Sequence, residues 1–248
     1  MLNTDDLSLI TTSAISGYAT WELTRIIVGR NGLDQLPILL TSITEKISRL
    51  GASRVLVTIK ENADLGMALI KSGFKFSHTE SLYTGKNLKL NPINLDLRPK
   101  IDIDDLAIFR LYNLATPIKI RSLNCPTLAD WKALNRQHKD VAHEYVMSNQ
   151  TEAKMYLKII RNKEFKIVTI IVHPQLEYNV VKHLLQFSLS ILTDTDKVRI
   201  FIPEFQTSFN TAVAEIGLPL RANFQIYSFP IAASEKLLTE ESAVGFVT

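Results

Sequence analysis

Thr20-Trp-Glu-Leu-Thr-Arg-Ile-Ile-Val28, followed by Gly29-Arg30-Asn31-Gly32 and by an apolar set at Leu36, Leu39, Leu40, Ile43, Ile47 and Leu50, is the stretch that decides the fold. Its first part is rich in β-branched and aromatic residues and reads as a strand. The apolar set has helical spacing and stops at Gly51, the residue type that most often closes a helix. A strand, a glycine-containing loop and an amphipathic helix therefore stand in a row. An earlier strand over about Ser8 to Ser13, with Ser16-Gly17 as the hairpin turn, is expected to pair with the first.

Downstream, Arg54-Val-Leu-Val-Thr-Ile59 is a strand of the buried type, and Ala63 to Ser72 is a second helix stopped by Gly73. Phe74 to Leu90 is expected to form two strands around a turn at Gly85. The polar, proline-containing Asn91-Pro-Ile-Asn-Leu-Asp96 reads as a linker, after which the order restarts. Leu97-Arg98-Pro99 reads as a short strand, Asp102 or Asp104 as the cap of a helix that Pro117 stops, and Thr127 to Leu134 as a further helix. Strands follow at about Glu144 to Met147, Ala153 to Ile160 and Phe165 to His173. Next come a helix carrying Val181, Leu184, Leu185 and Leu189, a strand Val198 to Ile202, a helix from about Gln206 to Ile216, and terminal strands near Asn223 to Ile231. Set side by side, Ile26 to Tyr83 and Ile170 to Tyr227 follow the same order of elements, so the chain contains an internal repeat. The reading gives a first copy over residues 1–90, a linker over 91–96, a second copy over 97–232 and a tail over 233–248.

Composition narrows the function classes. The 248 residues are 46% hydrophobic and 21% charged, as in soluble globular proteins. The formal net charge is only +3, with basic residues scattered rather than gathered, which argues against a nucleic-acid partner. Cys125 is the only cysteine, so an intrachain disulfide and a cysteine-cluster metal site are excluded, and it reads as a small buried hydrophobe. Asp5 and Asp6 stand where a secretory signal needs positive charge. No apolar run reaches the roughly 20 residues of a membrane span. A soluble, cytoplasmic protein without a membrane partner is the expectation.

The β-α-β-α-β-β core, with Glu61-Asn62 on leaving a strand and Lys71-Ser-Gly-Phe74 closing the next helix, resembles the GCN5-related N-acetyltransferase (GNAT) superfamily. The resemblance covers nearly the whole chain, once per repeat. It implies an α/β (α+β) acyl-CoA N-acyltransferase fold in two tandem copies, each a mixed, mostly antiparallel sheet flanked by helices. It also implies that the first copy lacks the family's first two strands and first two helices. In that family a glycine-rich loop and the following helix N-terminus hold the diphosphate of acetyl-CoA. Carried over, the resemblance assigns acetyl-CoA to the first copy only, at Val28, Gly29, Arg30, Asn31, Gly32 and Asn62. The second copy has no glycine from Val172 to Leu185, and the family's tyrosine position is Leu69 in the first copy and Val213 in the second.

Two residues are candidates for the chemistry. Glu22 lies on the strand where family members place a carboxylate that takes the amine proton; its plain alternative is a salt-bridged strand residue. Tyr83 is a candidate replacement acid, with half-buried packing as the alternative. Asn62 before a helix is first an N-cap, His173 reads as turn packing, and the Asp102, Asp104, Asp105 cluster reads as helix capping; no metal site is expected. The leading reading is an acetyl-CoA-dependent N-acyltransferase acting on a small-molecule or protein amine. The rival is a non-catalytic binding or assembly module of the same fold. A truncated first copy leaves a sheet edge bare, so completion by the second copy, by a homodimer partner or by upstream sequence beyond this start is also expected.

Overall fold

Leu36, Leu40, Thr44 and Ile47 fall on one side of helix α1 (Leu36–Arg49) and are buried, while Glu45, Lys46 and Arg49 face solvent, which is the amphipathic pattern that seats a helix on a sheet. That sheet is built from β1 (Ser8–Ala14), β2 (Thr20–Val28), β3 (Arg54–Lys60), β4 (Lys75–Lys86), β5 (Arg98–Pro99), β6 (Val141–Asn149), β7 (Glu152–Arg161), β8 (Lys166–Val172), β9 (Lys197–Pro203) and β10 (Leu220–Pro230). The remaining helices are α2 (Ala63–Lys71), α3 (Asp105–Ala115), α4 (Ile118–Asn124), α5 (Leu128–Arg136), α6 (Tyr178–Ser190) and α7 (Thr207–Ile216). The structure is a computed structural model describing residues 8–15, 19–29, 32–86, 95–136, 140–149, 152–161, 164–192 and 197–231. Arg30, Asn31, the Ser16-Gly17 turn and most of the 91–96 linker therefore lie outside the described residues.

The ten strands among the described residues form one sheet in the order β1-β2-β3-β10-β4-β9-β8-β7-β6-β5. Its pairings are antiparallel except β2 with β3 and β8 with β9. β10, the last strand among the described residues, lies between β3 and β4, and β4 in turn lies between β10 and β9. Each half of the sequence thus has its final strand beside the other half's. At the outer end of the first half, β1 pairs only with β2 among the described residues.

The sheet carries helices on both faces. Val55, Val57 and Ile59 pack with α1 and α2, and Met155, Leu157 and Ile159 pack with α6 and α7. β4 enters both cores from one face: Phe76 joins the first and Tyr83 the second, with a bulge between Phe76 and His78 keeping them in phase. The alternate residues face the other way, toward α3, α4 and α5. There Tyr156 and Val146 pack with Ile108, Leu111 and Trp131. Two C-terminal carbonyls of α4 are bonded by strand side chains: Ser228 Oγ donates to Leu123 O at 2.8 Å and Arg54 Nη1 to Asn124 O at 3.0 Å; the Asn124 side chain in turn donates through Nδ2 to Ser77 Oγ of β4 at 3.0 Å.

Two expectations are corrected here. Gly85 is no turn: it sits within β4 opposite Val198 of β9, whose pairing runs on through Lys86 and holds β4 extended. The terminal strands are a single strand, β10. Pro117 does end α3, yet it also starts α4, which the periodicity did not announce; proline's missing N–H is harmless at a helix start. No helix among the described residues is long and apolar enough to cross a membrane.

Candidate functional site

β2 and β3 are hydrogen-bonded neighbours only from Thr20–Leu23 against Arg54–Val57. Beyond Leu23 and Val57 the two parallel strands part, and a cleft of about 400 Å³ opens between them. One wall is the edge of Thr24 to Ile26; the other is Thr58 to Lys60, continuing into Glu61 and Asn62 at the start of α2. Parted parallel strands leave backbone N–H and C=O groups without a ladder partner, so an extended molecule laid between them meets a row of main-chain donors and acceptors.

Solved structures with the same architecture decide the fold. An N-acetyltransferase of the GCN5-related family from Sphaerobacter thermophilus superposes with a TM-score of 0.57 at 12% identity, over 89% of this chain and 75% of that one. The chain has the GCN5-related N-acetyltransferase fold. A tandem GNAT protein of the clavulanic acid biosynthesis pathway superposes with a TM-score of 0.51 at 10% identity, over 88% of this chain and 77% of that one. The N-myristoyltransferase of Saccharomyces cerevisiae, solved with bound myristoyl-CoA, gives 0.54 at 11% identity, over 90% of this chain and 65% of that one. No family model and no curated protein matches the chain in sequence.

Within this acetyltransferase fold, the residues expected to hold acetyl-CoA are placed as follows. Val28 ends β2 and packs on the α1/α2 core. Gly29 and Gly32 close a turn, with Gly32 N donating to Gly29 O at 3.0 Å. Gly32 is buried, and a Cβ there would stand 2.3 Å from Ser8 Oγ, so this glycine lets the loop lie against β1. The start of α1 is a poor diphosphate grip. Leu36 N is bonded to Gly32 O, Pro37 has no N–H, and Ile38 and Leu39 donate to Gln35 O. The helix end that the resemblance assigns to the diphosphate has its first amides satisfied by its own loop. Asn62 is the N-cap of α2, its Oδ1 accepting from Leu65 N at 2.9 Å, and it also lines the cleft.

Glu22 lies on β2 one residue before the strands part, opposite Leu56. It alternates with the buried Leu23 and so points to the face away from α1 and α2. Tyr83 is not brought to this cleft. It sits opposite Ile200 of β9 in the second half, packs on the α6/α7 core, and its hydroxyl donates to Asn210 Oδ1 of α7 at 3.3 Å. The tyrosine beside the first-half cleft is Tyr227 of β10, opposite Val57, the last β3 residue paired with β2. It is buried, and its hydroxyl donates to Gln225 Oε1 at 3.1 Å next to Gly66 of α2. Burial raises its pKa above the ordinary tyrosine value. The signal for Tyr227 was present in the sequence, since the repeat aligns it with Tyr83; what the repeat did not show is that the strands trade places.

The remaining polar candidates have structural explanations. His173 Nδ1 accepts from Gln175 N at 3.2 Å within a turn. Cys125 is buried, which pushes its thiol up to about 12. Asp104 accepts from Ile101 N at 2.8 Å, as a helix-start cap does, and also takes both Arg98 guanidinium nitrogens at 2.7 Å.

Proposed function

We propose that the chain is an N-acyltransferase whose first-half cleft takes the pantetheine end of an acyl-CoA and passes its acyl group to an amine. The observation that carries this reading is the parting of β2 and β3 beyond Leu23 and Val57. The edges of Thr24 to Ile26 meet the amides of the pantetheine arm, and Asn62 stands at the far wall. In the transfer the amine nitrogen bonds to the acyl carbon as the C–S bond breaks, the amine's proton passes to Glu22 directly or through water, and the sulfur leaves as a thiolate that takes a proton from solvent. Tyr227 is buried in the core beneath the cleft, bonded to Gln225, and supplies no proton. The acceptor is a small-molecule or protein amine arriving on the face to which Glu22 points. Two tandem copies joined through β4 and β10 form the scaffold, and the tandem neighbour supports that arrangement.

A second reading is favoured by one observation. With the first amides of α1 satisfied and Pro37 in its first turn, the diphosphate has little to hold it, which suits a non-catalytic binding module of the same fold. Calorimetric titration with acetyl-CoA and myristoyl-CoA, followed by a transfer assay over an amine panel with the Glu22→Gln variant, separates the two. Saturable binding with transfer that drops about 10²-fold or more in the variant supports the first reading; absence of heat with either thioester establishes the second.

A further inference from the structure

A second cavity, of about 570 Å³, lies at the end of the sheet where β4 finishes and β9 and β10 begin, lined by Thr84, Gly85, Phe165, Lys197, Arg199 and Arg221 among others. Nothing in the acyl-transfer reading uses it. Its cations come from two strands that β4 separates: Lys197 and Arg199 from β9, Arg221 from β10. Lys197 and Arg199 are two residues apart and so share a face of the sheet, and Thr84 of β4 stands directly opposite Arg199. Arg221 Nε donates to the hydroxyl of that same threonine at 3.0 Å, across 137 positions of sequence. Basic residues that look scattered along the chain are thus gathered by strand order.

Charge and shape at this cavity suit an anion. Glu164 is the one carboxylate among the described lining residues, so it neutralises at most one of the three cations and leaves an excess of two. The adjoining stretches outside the described residues, 87–94, 162–163 and 193–196, carry Lys89 and Lys163 against Asp194 and Asp196, which leaves that excess unchanged. Like charges brought together in a sheet cost stability unless an anion stands between them. Arg199 is held by stacking, its guanidinium carbon 3.6 Å from the centroid of the Phe165 ring, which fixes the plane of its N–H donors. Phe165, with the buried Val198 and Leu218, supplies an apolar wall beside the cations, and Gly85 and Gly217 add no side chains to the space.

We propose that this cavity binds a small phosphate monoester, its phosphate accepting from Arg199, Arg221 and Lys197 and its organic body lying against Phe165 and Leu218. A phosphate monoester carries about two negative charges at pH 7, which matches the excess of two cations among the lining residues. Its terminal oxygens suit the planar donor fork of a guanidinium. The volume lies within the range of small-molecule sites and admits the phosphate together with a compact organic group.

The test uses the full chain, with phenyl phosphate as probe and benzoate as a singly charged control. Calorimetry at pH 7 in about 0.15 M salt is expected to show saturable phenyl phosphate binding with a Kd below about 1 mM, and benzoate binding at least about tenfold weaker. Arg199→Met and Arg221→Met, checked for folding by circular dichroism, are each expected to weaken phenyl phosphate binding at least about tenfold. Arg199→Lys, which keeps the charge and loses the planar fork, is expected to weaken it at least about threefold. In the amide spectrum of the isotope-labelled wild type, phenyl phosphate is expected to shift the Gly85 and Gly217 signals and leave Gly51 and Gly66 in place; this arm decides if the variants do not fold. None of the substituted residues lines the cleft between β2 and β3, so the outcome is independent of the acyl-transfer reading. Four results overturn the proposal: no saturation by about 10 mM phenyl phosphate, benzoate binding as tight as that of phenyl phosphate, wild-type affinity in both methionine variants, or phenyl phosphate binding that leaves Gly85 and Gly217 unmoved.

Discussion

Replacing Gly66 with alanine tests the strand exchange at the level of single atoms. Gly66 is in the first half, on α2, and its backbone faces Tyr227, contributed by β10 of the second half. A Cβ at position 66 would stand 2.6 Å from the Tyr227 hydroxyl oxygen. That oxygen ends a rigid ring that is 3% exposed, clamped by Phe76 edge-on at 5.5 Å and bonded to Gln225. Relief requires moving the ring or the helix, an overpacking cost of about 2 kcal/mol. Alanine in a helix interior returns about 1 kcal/mol over glycine. Gly66→Ala is therefore expected to lose about 1 kcal/mol in the wild type. The Tyr227→Phe change removes the offending oxygen, and the next neighbours, at 3.5 and 3.6 Å, are ordinary contacts. In that background Gly66→Ala is expected to gain about 1 kcal/mol, so the sign reverses and the coupling is about 2 kcal/mol. Thermal unfolding of the four proteins reads this as midpoint shifts of about 2–4 °C in opposite directions. A Gly66→Ala effect of the same sign and size in both backgrounds would falsify the placement of Tyr227 against α2.

Other outcomes follow from the same contacts. Arg54→Met is expected to cost about 2 kcal/mol in urea unfolding, because it leaves the Asn124 carbonyl at the end of α4 without its buried donor. The Arg98 guanidinium holds the Asp104 carboxyl below the ordinary carboxylate range; for Asp105, burial pushes the other way but the Lys100 and Lys132 ammoniums outweigh it. With folded values below unfolded ones, this stability is present above about pH 4 and is lost as the pH falls through the folded values. Urea midpoints from pH 7 to pH 2 are expected to fall in that window, and to fall less for Asp104→Asn. Lys158 has the opposite sign: its folded value is lowered, so stability is expected to rise as the pH climbs toward the unfolded lysine value near 10.4, and Lys158→Met is expected to abolish that slope. Truncation after Pro219 removes β10, exposes the facing edges of β3 and β4, and is expected to yield protein without a cooperative thermal transition.

Much of the fold was legible because the chain's local signals agree. Gly51, Gly73 and Gly217 close helices α1, α2 and α7 in the left-handed conformation, and each was visible as a stop after an apolar stripe. What local signals do not contain is pairing. Nothing in Lys75 to Lys86 itself says that its neighbours are β9 and β10. The same limit governed the site. Glu22 and Asn62 take their places from their own strand and helix, whereas the place of Tyr83 beside β9 is set by strand neighbours that local signals do not contain. Lys158 was passed over entirely: in Met155 to Ile160 a single lysine amid apolar residues looks like a solvent-facing strand position, and only the helix layer above it makes it buried.

The place of β10 also fixes the timetable of folding. Arg54 pairs with Pro230 and Lys60 with Phe224, so the ladder joining β3 to β10 closes only after the second half of this sequence has left the ribosome. Until then β3 and β4 present bare edges with nothing between them, and strands emerging from a neighbouring ribosome offer the same pairing as the chain's own β10. A protein wired this way has its highest risk of tangling in the interval before β10 is made.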